Sequence, residues 1–132
     1  MTVLVIDASV LAVALGDDSE TGDLARQRIA GEQLWAPDLI YLEVASVFRC
    51  QVAVGAMDDR RARLGLTDLL DLPLDIAPHQ KLLPRCWQRR ENLTLYDGAY
   101  VALAEALEAT LLTADARLSR AAGPDCVIEL FR

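Results

Sequence analysis

A chain of 132 residues with 53% hydrophobic and 25% charged content has the size and composition of one globular domain, 1–132, able to bury a core without staples. Its formal charge of −7 excludes broad electrostatic capture of nucleic acid, so any contact with a polyanion has to be local. No stretch reaches the roughly 18 unbroken apolar residues of a membrane span, and the start lacks the features of a secretory signal, so a soluble, cytoplasmic protein is expected.

Thr2 to Ile6 is a β-rich run, and Ala8 to Leu15 carries apolar residues at helical spacing up to a break at Gly16 and Asp17. A second helix is predicted over Glu20 to Ala30, with Gly31 as its stop. "QLWAP" follows as a strand ended by Pro37, with Trp35 packed in the core. From Asp38 a long helix repeats Ile40, Val44, Val47, Phe48 and Val52 and closes at Gly55. "MDDRRARLGLTDLLDL" reads as another helix with an acidic first turn, and "LDIA" as a short strand.

Pro78 can open a helix through "HQKLLPRCWQRREN", where Pro84 predicts a kink or a late start. Thr94 is a candidate N-cap for "LYDGAYVALAEALE". "TLLTAD" is a strand, "ARLSRAA" a short helix and "CVIEL" a last strand. Strands alternating with helices imply an α/β fold with a parallel central sheet and helices on both faces. Cys50, Cys86 and Cys126 are widely spaced in apolar surroundings and read as buried free thiols. Lys81 is the only lysine, so no phosphate-binding Gly-Lys-Ser/Thr loop exists.

Two strands, "VLVID" and "TLLTAD", run apolar residues into an aspartate where a helix begins. Ligands of parallel sheets gather beyond the carboxyl ends of the strands, so Asp7 and Asp115 face one crevice if their strands are neighbours. Each could instead simply cap the next helix. Glu43 lies on or beside the inward stripe of its helix, where a carboxylate needs a hydrogen-bond donor, a cation or a raised pKa. Asp97 sits in a first turn, where the helix dipole favours it. Were the four to converge, their repulsion would call for a divalent cation, and oxygen-only donors suit Mg²⁺ or Mn²⁺.

The series Asp7 in "VIDAS", Glu43 in "PDLIYLEVASVF", Asp97 in "LTLYDGAYVALAE" and Asp115 in "LLTADARL" resembles the PIN-domain family, specifically its VapC-like toxin ribonucleases. The resemblance covers nearly the whole chain. It implies a three-layer α/β/α nuclease in which Asp7, Glu43, Asp97 and Asp115 hold one or two divalent metals and cut RNA. It further implies a hydrogen bond from Ser9 within the site, a second copy of the chain as partner, and an antitoxin whose tail covers the groove. Leu39, Ile40 and the second helix are candidate lining for that groove. Where relatives carry a polar residue before the helix glutamate, this chain has Leu42. Where some carry a further acid after the last aspartate, it has Arg117 and Ser119, with Ser119 as an auxiliary candidate and Arg117 at the rim.

The only histidine, His79, reads as a surface residue, and the clusters Arg60, Arg61, Arg63 and Arg85, Arg89, Arg90 as solvated helix faces. Trp87, like Trp35, is a type that can stack on bases. A different class of function stands against the nuclease: an α/β interaction module whose acids are ordinary helix caps. Dependence on metal separates the two.

Overall fold

The computed structural model describes residues 2–132. Five strands, β1 (Val3–Ile6), β2 (Gln33–Pro37), β3 (Asp75–Ala77), β4 (Thr110–Thr113) and β5 (Ile128–Leu130), alternate with helices. The helices are α1 (Ala8–Gly16), α2 (Glu20–Ile29), α3 (Ile40–Ala53), α4 (Asp59–Asp71), α5 (His79–Gln88), α6 (Leu95–Leu107) and α7 (Ala116–Ser119). Every strand pairing is parallel, in the order β3-β2-β1-β4-β5. Strands buried on both faces need continuous apolar runs, which is what Leu4, Val5 and Ile6 and the facing Leu111 and Leu112 supply.

The chain winds outward from β1 through β2 to β3, then returns to the other side of β1 for β4 and β5. The winding therefore reverses between β1 and β4, and a crevice opens beyond their carboxyl ends. Ile6 pairs with Leu112, and the Asp7 amide donates to the Leu112 carbonyl at 2.9 Å. Asp7 thus stands at the mouth of the crevice with Thr113 as its neighbour.

On one face α1 packs against α2, α3 and α4, and on the other α6 packs on α5 and lies along β1, β2 and β4. Phe48 of α3 wedges between Gly16 and Gly65, where a Cβ would come within 2.6 and 2.7 Å of its ring. Only glycine permits that approach, and it fixes α3 against α1 and α4. The carboxyl end of α1 is closed by two arginines: Arg26 donates to the carbonyls of Ala14 and Asp17, and Arg61 to that of Leu15. Cationic donors at a helix carboxyl terminus satisfy orphan carbonyls and complement the dipole.

Most predicted elements match within two residues, and the differences have local causes. Helix α5 starts at His79 and runs through Pro84, so the late start is not found. The missing N–H removes a single bond to the carbonyl of Gln80, an exposed residue that water can serve. Helix α7 ends at Ser119, before Ala121 and Ala122. Cys50 is exposed, because it falls on the outer side of α3, while Cys86 is buried and Cys126 partly so. Trp35 packs on the core from β2. Among the described residues no helix is long and apolar enough to cross a membrane.

Candidate active site

Asp7, Glu43, Asp97 and Asp115 come from four separate segments and line one open cleft of about 570 Å³, with Ser9, Leu39, Leu42, Ser46, Val47 and Tyr96. Asp7 follows β1, Glu43 is in the first turn of α3, Asp97 in the first turn of α6, and Asp115 follows β4. All four converge at the switch point of the sheet.

The helix-cap account can be tested atom by atom. Asp115 does cap α7, its Oδ1 accepting from the amides of Arg117 at 2.9 Å and Leu118 at 3.4 Å. At the start of α6 the cap is Thr94, whose hydroxyl accepts from the Asp97 amide at 3.1 Å. Asp7 occupies the N-cap position of α1 yet makes no side-chain cap. Its Oδ2 instead accepts from the hydroxyls of Thr113 at 2.7 Å and Ser9 at 2.8 Å. Only 8% exposed, Asp7 is held by neutral donors that leave its charge uncancelled. Ser9 in turn accepts from the Ala114 amide at 3.0 Å, which ties the start of α1 to the end of β4.

Glu43 faces inward, and its Oε1 accepts from the Tyr100 hydroxyl at 2.6 Å. Burial pushes its carboxyl above the ordinary value; the Tyr100 hydrogen bond opposes this, and the charges of Asp7 and Asp97 add to it. Burial also raises Asp97, and the charges of Asp7 and Asp115 push the same way against Arg117 and Thr94. Asp115 lies below the usual range: burial works against this, but the amides of Arg117 and Leu118 and the Arg117 side chain outweigh it. Tyr100 is driven far up by burial and then by Glu43, so the phenol keeps its proton and stays a donor.

Among the described residues no three His, Cys, Asp or Glu side chains stand as a preformed metal cage. The donor set nevertheless fits a hard divalent cation: four carboxylates, no sulfur or imidazole at the cleft, and two acids, Glu43 and Asp97, raised in part by the charges of their acidic neighbours. Arg117, largely exposed, is the one cation paired with any of the four among the described residues, at 3.4 Å from Asp115.

Several other expectations are redistributed. Ser119 is absent from the cleft lining and donates its hydroxyl to the Ala116 carbonyl at 2.7 Å, as a one-turn helix requires. Leu39 lines the cleft, whereas Ile40 is fully buried in the core and no residue of α2 reaches the cleft. Arg61 and Arg63 pair with Asp18 and Asp59, and Arg85 and Arg89 with Glu105 and Asp125. Arg90 stacks 4.4 Å above the exposed Trp87 ring. His79 is exposed, as expected, but its Nε2 accepts from the Leu39 amide at 2.9 Å, at the entry to α3.

Tyr100 and Thr113 are the hydrogen-bonding neighbours of the cleft acids that sequence reasoning missed. A signal existed for both: Tyr100 lies three residues after Asp97 on one face of α6, and Thr113 two residues before Asp115.

The PIN domain family matches residues 4–124. Ribonuclease VapC9 of Mycobacterium tuberculosis is 42% identical over 128 residues, covering 95% of each chain. Ribonuclease VapC1 of the same species is 36% identical over 129 residues, covering 97% of each. Among solved structures, Mycobacterium tuberculosis VapC20, described as a sarcin-ricin loop cleaving toxin, superposes with a TM-score of 0.68 at 12% identity, covering 88% of this chain and 92% of its own. With this fold and these relatives, the chain belongs to the PIN-domain family, within its VapC ribonucleases.

Proposed function

We propose that the chain is a divalent-metal-dependent endoribonuclease that hydrolyses phosphodiester bonds in RNA, acting in the cytoplasm as the toxin of a toxin–antitoxin pair. One observation carries the reading: Asp7, at an N-cap position, turns away from the helix and shares a cleft with Glu43, Asp97 and Asp115. A capping role does not account for that. The names of VapC9 and VapC1 as ribonucleases support the substrate class.

In this reading Asp7, Glu43, Asp97 and Asp115 hold the ion, Mg²⁺ or Mn²⁺. When bound, it supplies Lewis acidity toward the phosphodiester and lowers the pKa of water. Thr113 and Ser9 orient Asp7 by hydrogen bonds to Oδ2. The Ser9 hydroxyl is engaged with Asp7 and the Ala114 amide, so it serves position and not nucleophilic attack. Arg117 at the rim contacts RNA phosphate, and with most other arginines paired internally the salt dependence of binding is modest.

Leu42, Leu83, Trp87, Leu95 and Tyr96 expose apolar side chains on α3, α5 and α6 and around the start of α6. Such a surface supports the partners the family implies, a second copy of the chain and an antitoxin.

The test is cleavage of a panel of structured RNAs by the purified, antitoxin-free protein in Mn²⁺, Mg²⁺ or EDTA, alongside Asp7→Asn. Cleavage is expected only with a divalent ion and only by the wild type. Activity surviving in EDTA, or in the variant, would defeat the metal-nuclease reading.

A further inference from the structure

We propose that Tyr100 is a positioning residue that fixes the Glu43 carboxylate in the cleft; this rests on the reading of Glu43 as one of the four cleft acids. Tyr100 is fully buried, and its ring belongs to the core between α6 and the sheet. Its hydroxyl is the one polar atom of that side chain, and it is spent on Glu43 Oε1 at 2.6 Å.

The phenol therefore joins two segments that carry cleft acids: α6 with Asp97 and α3 with Glu43. A buried ring has few rotamers open to it, so the hydroxyl marks a fixed point in the cleft wall. Among the described residues no other hydrogen bond reaches the Glu43 carboxylate. Without the phenol the carboxylate would be free to turn about its last torsion, which is broad for glutamate. Holding one oxygen aims the other at the cleft, as outer-shell donors do for ligating carboxylates. The same device recurs on Asp7, where Thr113 and Ser9 hold one oxygen only.

The experiment is Tyr100→Phe in the full chain, which keeps the ring and removes the donor. Three quantities are read: the ¹³Cδ resonance of Glu43 in metal-free protein, Mn²⁺ affinity by calorimetry, and the kinetics of RNA cleavage. The expected result is a displaced Glu43 resonance, Mn²⁺ binding weakened roughly tenfold, and a lower kcat with KM for RNA unchanged. In a Glu43→Gln background, adding Tyr100→Phe is expected to change Mn²⁺ affinity no further. An unmoved Glu43 resonance, or losses that simply add in the double variant, overturn the assignment. If wild type binds no Mn²⁺ while the Glu43 resonance still moves, the metal reading fails and the positioning role of Tyr100 stands.

Discussion

Thr113 Oγ1 lies 2.7 Å from Asp7 Oδ2, joining the last residue of β4 to the residue that follows β1. The same hydroxyl oxygen accepts from the Asp115 amide at 3.0 Å, so one buried side chain sets the place of two cleft acids. Thr113→Val keeps the shape and removes both bonds. Leaving buried polar groups without partners costs about 1–3 kcal/mol, to be read in urea unfolding. Cleavage is expected to fall at least tenfold, as for a lost outer-shell partner. Thr113→Ser restores the hydroxyl and is expected to recover most of both; a serine variant as weak as valine would show that the methyl, and not the hydrogen bonds, matters.

The raised carboxyls of Glu43 and Asp97 make a prediction with a definite sign. A carboxyl whose value in the fold exceeds its unfolded value stabilises fully below the unfolded value, and that contribution is lost as pH rises through the folded one. Metal-free protein therefore gives up stability at these two sites between the ordinary 4.5 and 3.8 and their higher folded values. Asp97→Asn removes the charge, so in EDTA it is expected to match wild type near pH 3 and to exceed it at pH 7. Mn²⁺ should erase the advantage, and cleavage by the variant should fall by more than ~100-fold, beyond an outer-shell loss. A variant less stable than wild type in EDTA at pH 7 would remove mutual repulsion from the account of the cleft.

The sheet and its order of elements were legible because local rules agreed with the global fold. Gly31 and Gly55 follow helices in the left-handed region, as stops require, and Thr94 caps α6 as its spacing to Asp97 suggested. The four acids were legible because charge interrupts apolar patterns at strand ends and on an inward helix face. What no pattern showed is how they are held. Glu43 and Tyr100 are 57 positions apart, and Asp7 and Thr113 are 106, so these bonds follow from strand order and register. Ile40 went to the core for a related reason: periodicity marks a stripe as apolar without saying which residue reaches the sheet and which the cleft.

His79 gives a third prediction. Leu39, at the N-cap position of α3, has no side-chain cap of its own, and its amide donates to His79 Nε2 across from the start of α5. Acceptance at Nε2 requires the neutral imidazole with its proton on Nδ1. His79→Ala is expected to cost about 1 kcal/mol, the net worth of one such bond, and to speed hydrogen exchange at the Leu39 amide. His79→Gln offers an acceptor of similar reach and should restore protection there. Equal exchange in wild type and alanine variant would show that the bond does not persist in solution.

Glu105 separates architecture from chemistry. It accepts from Arg85 at 2.9 Å, from Arg89 at 2.6 Å and from the Asp125 amide at 2.7 Å, binding α5, α6 and the segment before β5 together. Its side chain is 10% exposed and that of Arg89 13%, so removing the carboxylate leaves a nearly buried guanidinium with only the exposed Asp125 as its acidic partner. Burial works against the ionised acid, but the two arginines and the Asp125 amide hold its carboxyl below the usual range. This contribution is present at neutral pH and is lost as pH falls through the lowered value, the opposite sense to Glu43 and Asp97. Glu105→Ala is expected to lose on the order of 3 kcal/mol, the low end for a buried pair deprived of one partner. Because Glu105 lies two turns beyond Asp97 and lines no part of the cleft, cleavage per folded molecule should be unchanged at a temperature where the variant remains native. A folded Glu105→Ala protein with a lower kcat would instead show that the ion-pair network sets the position of Asp97 through α6.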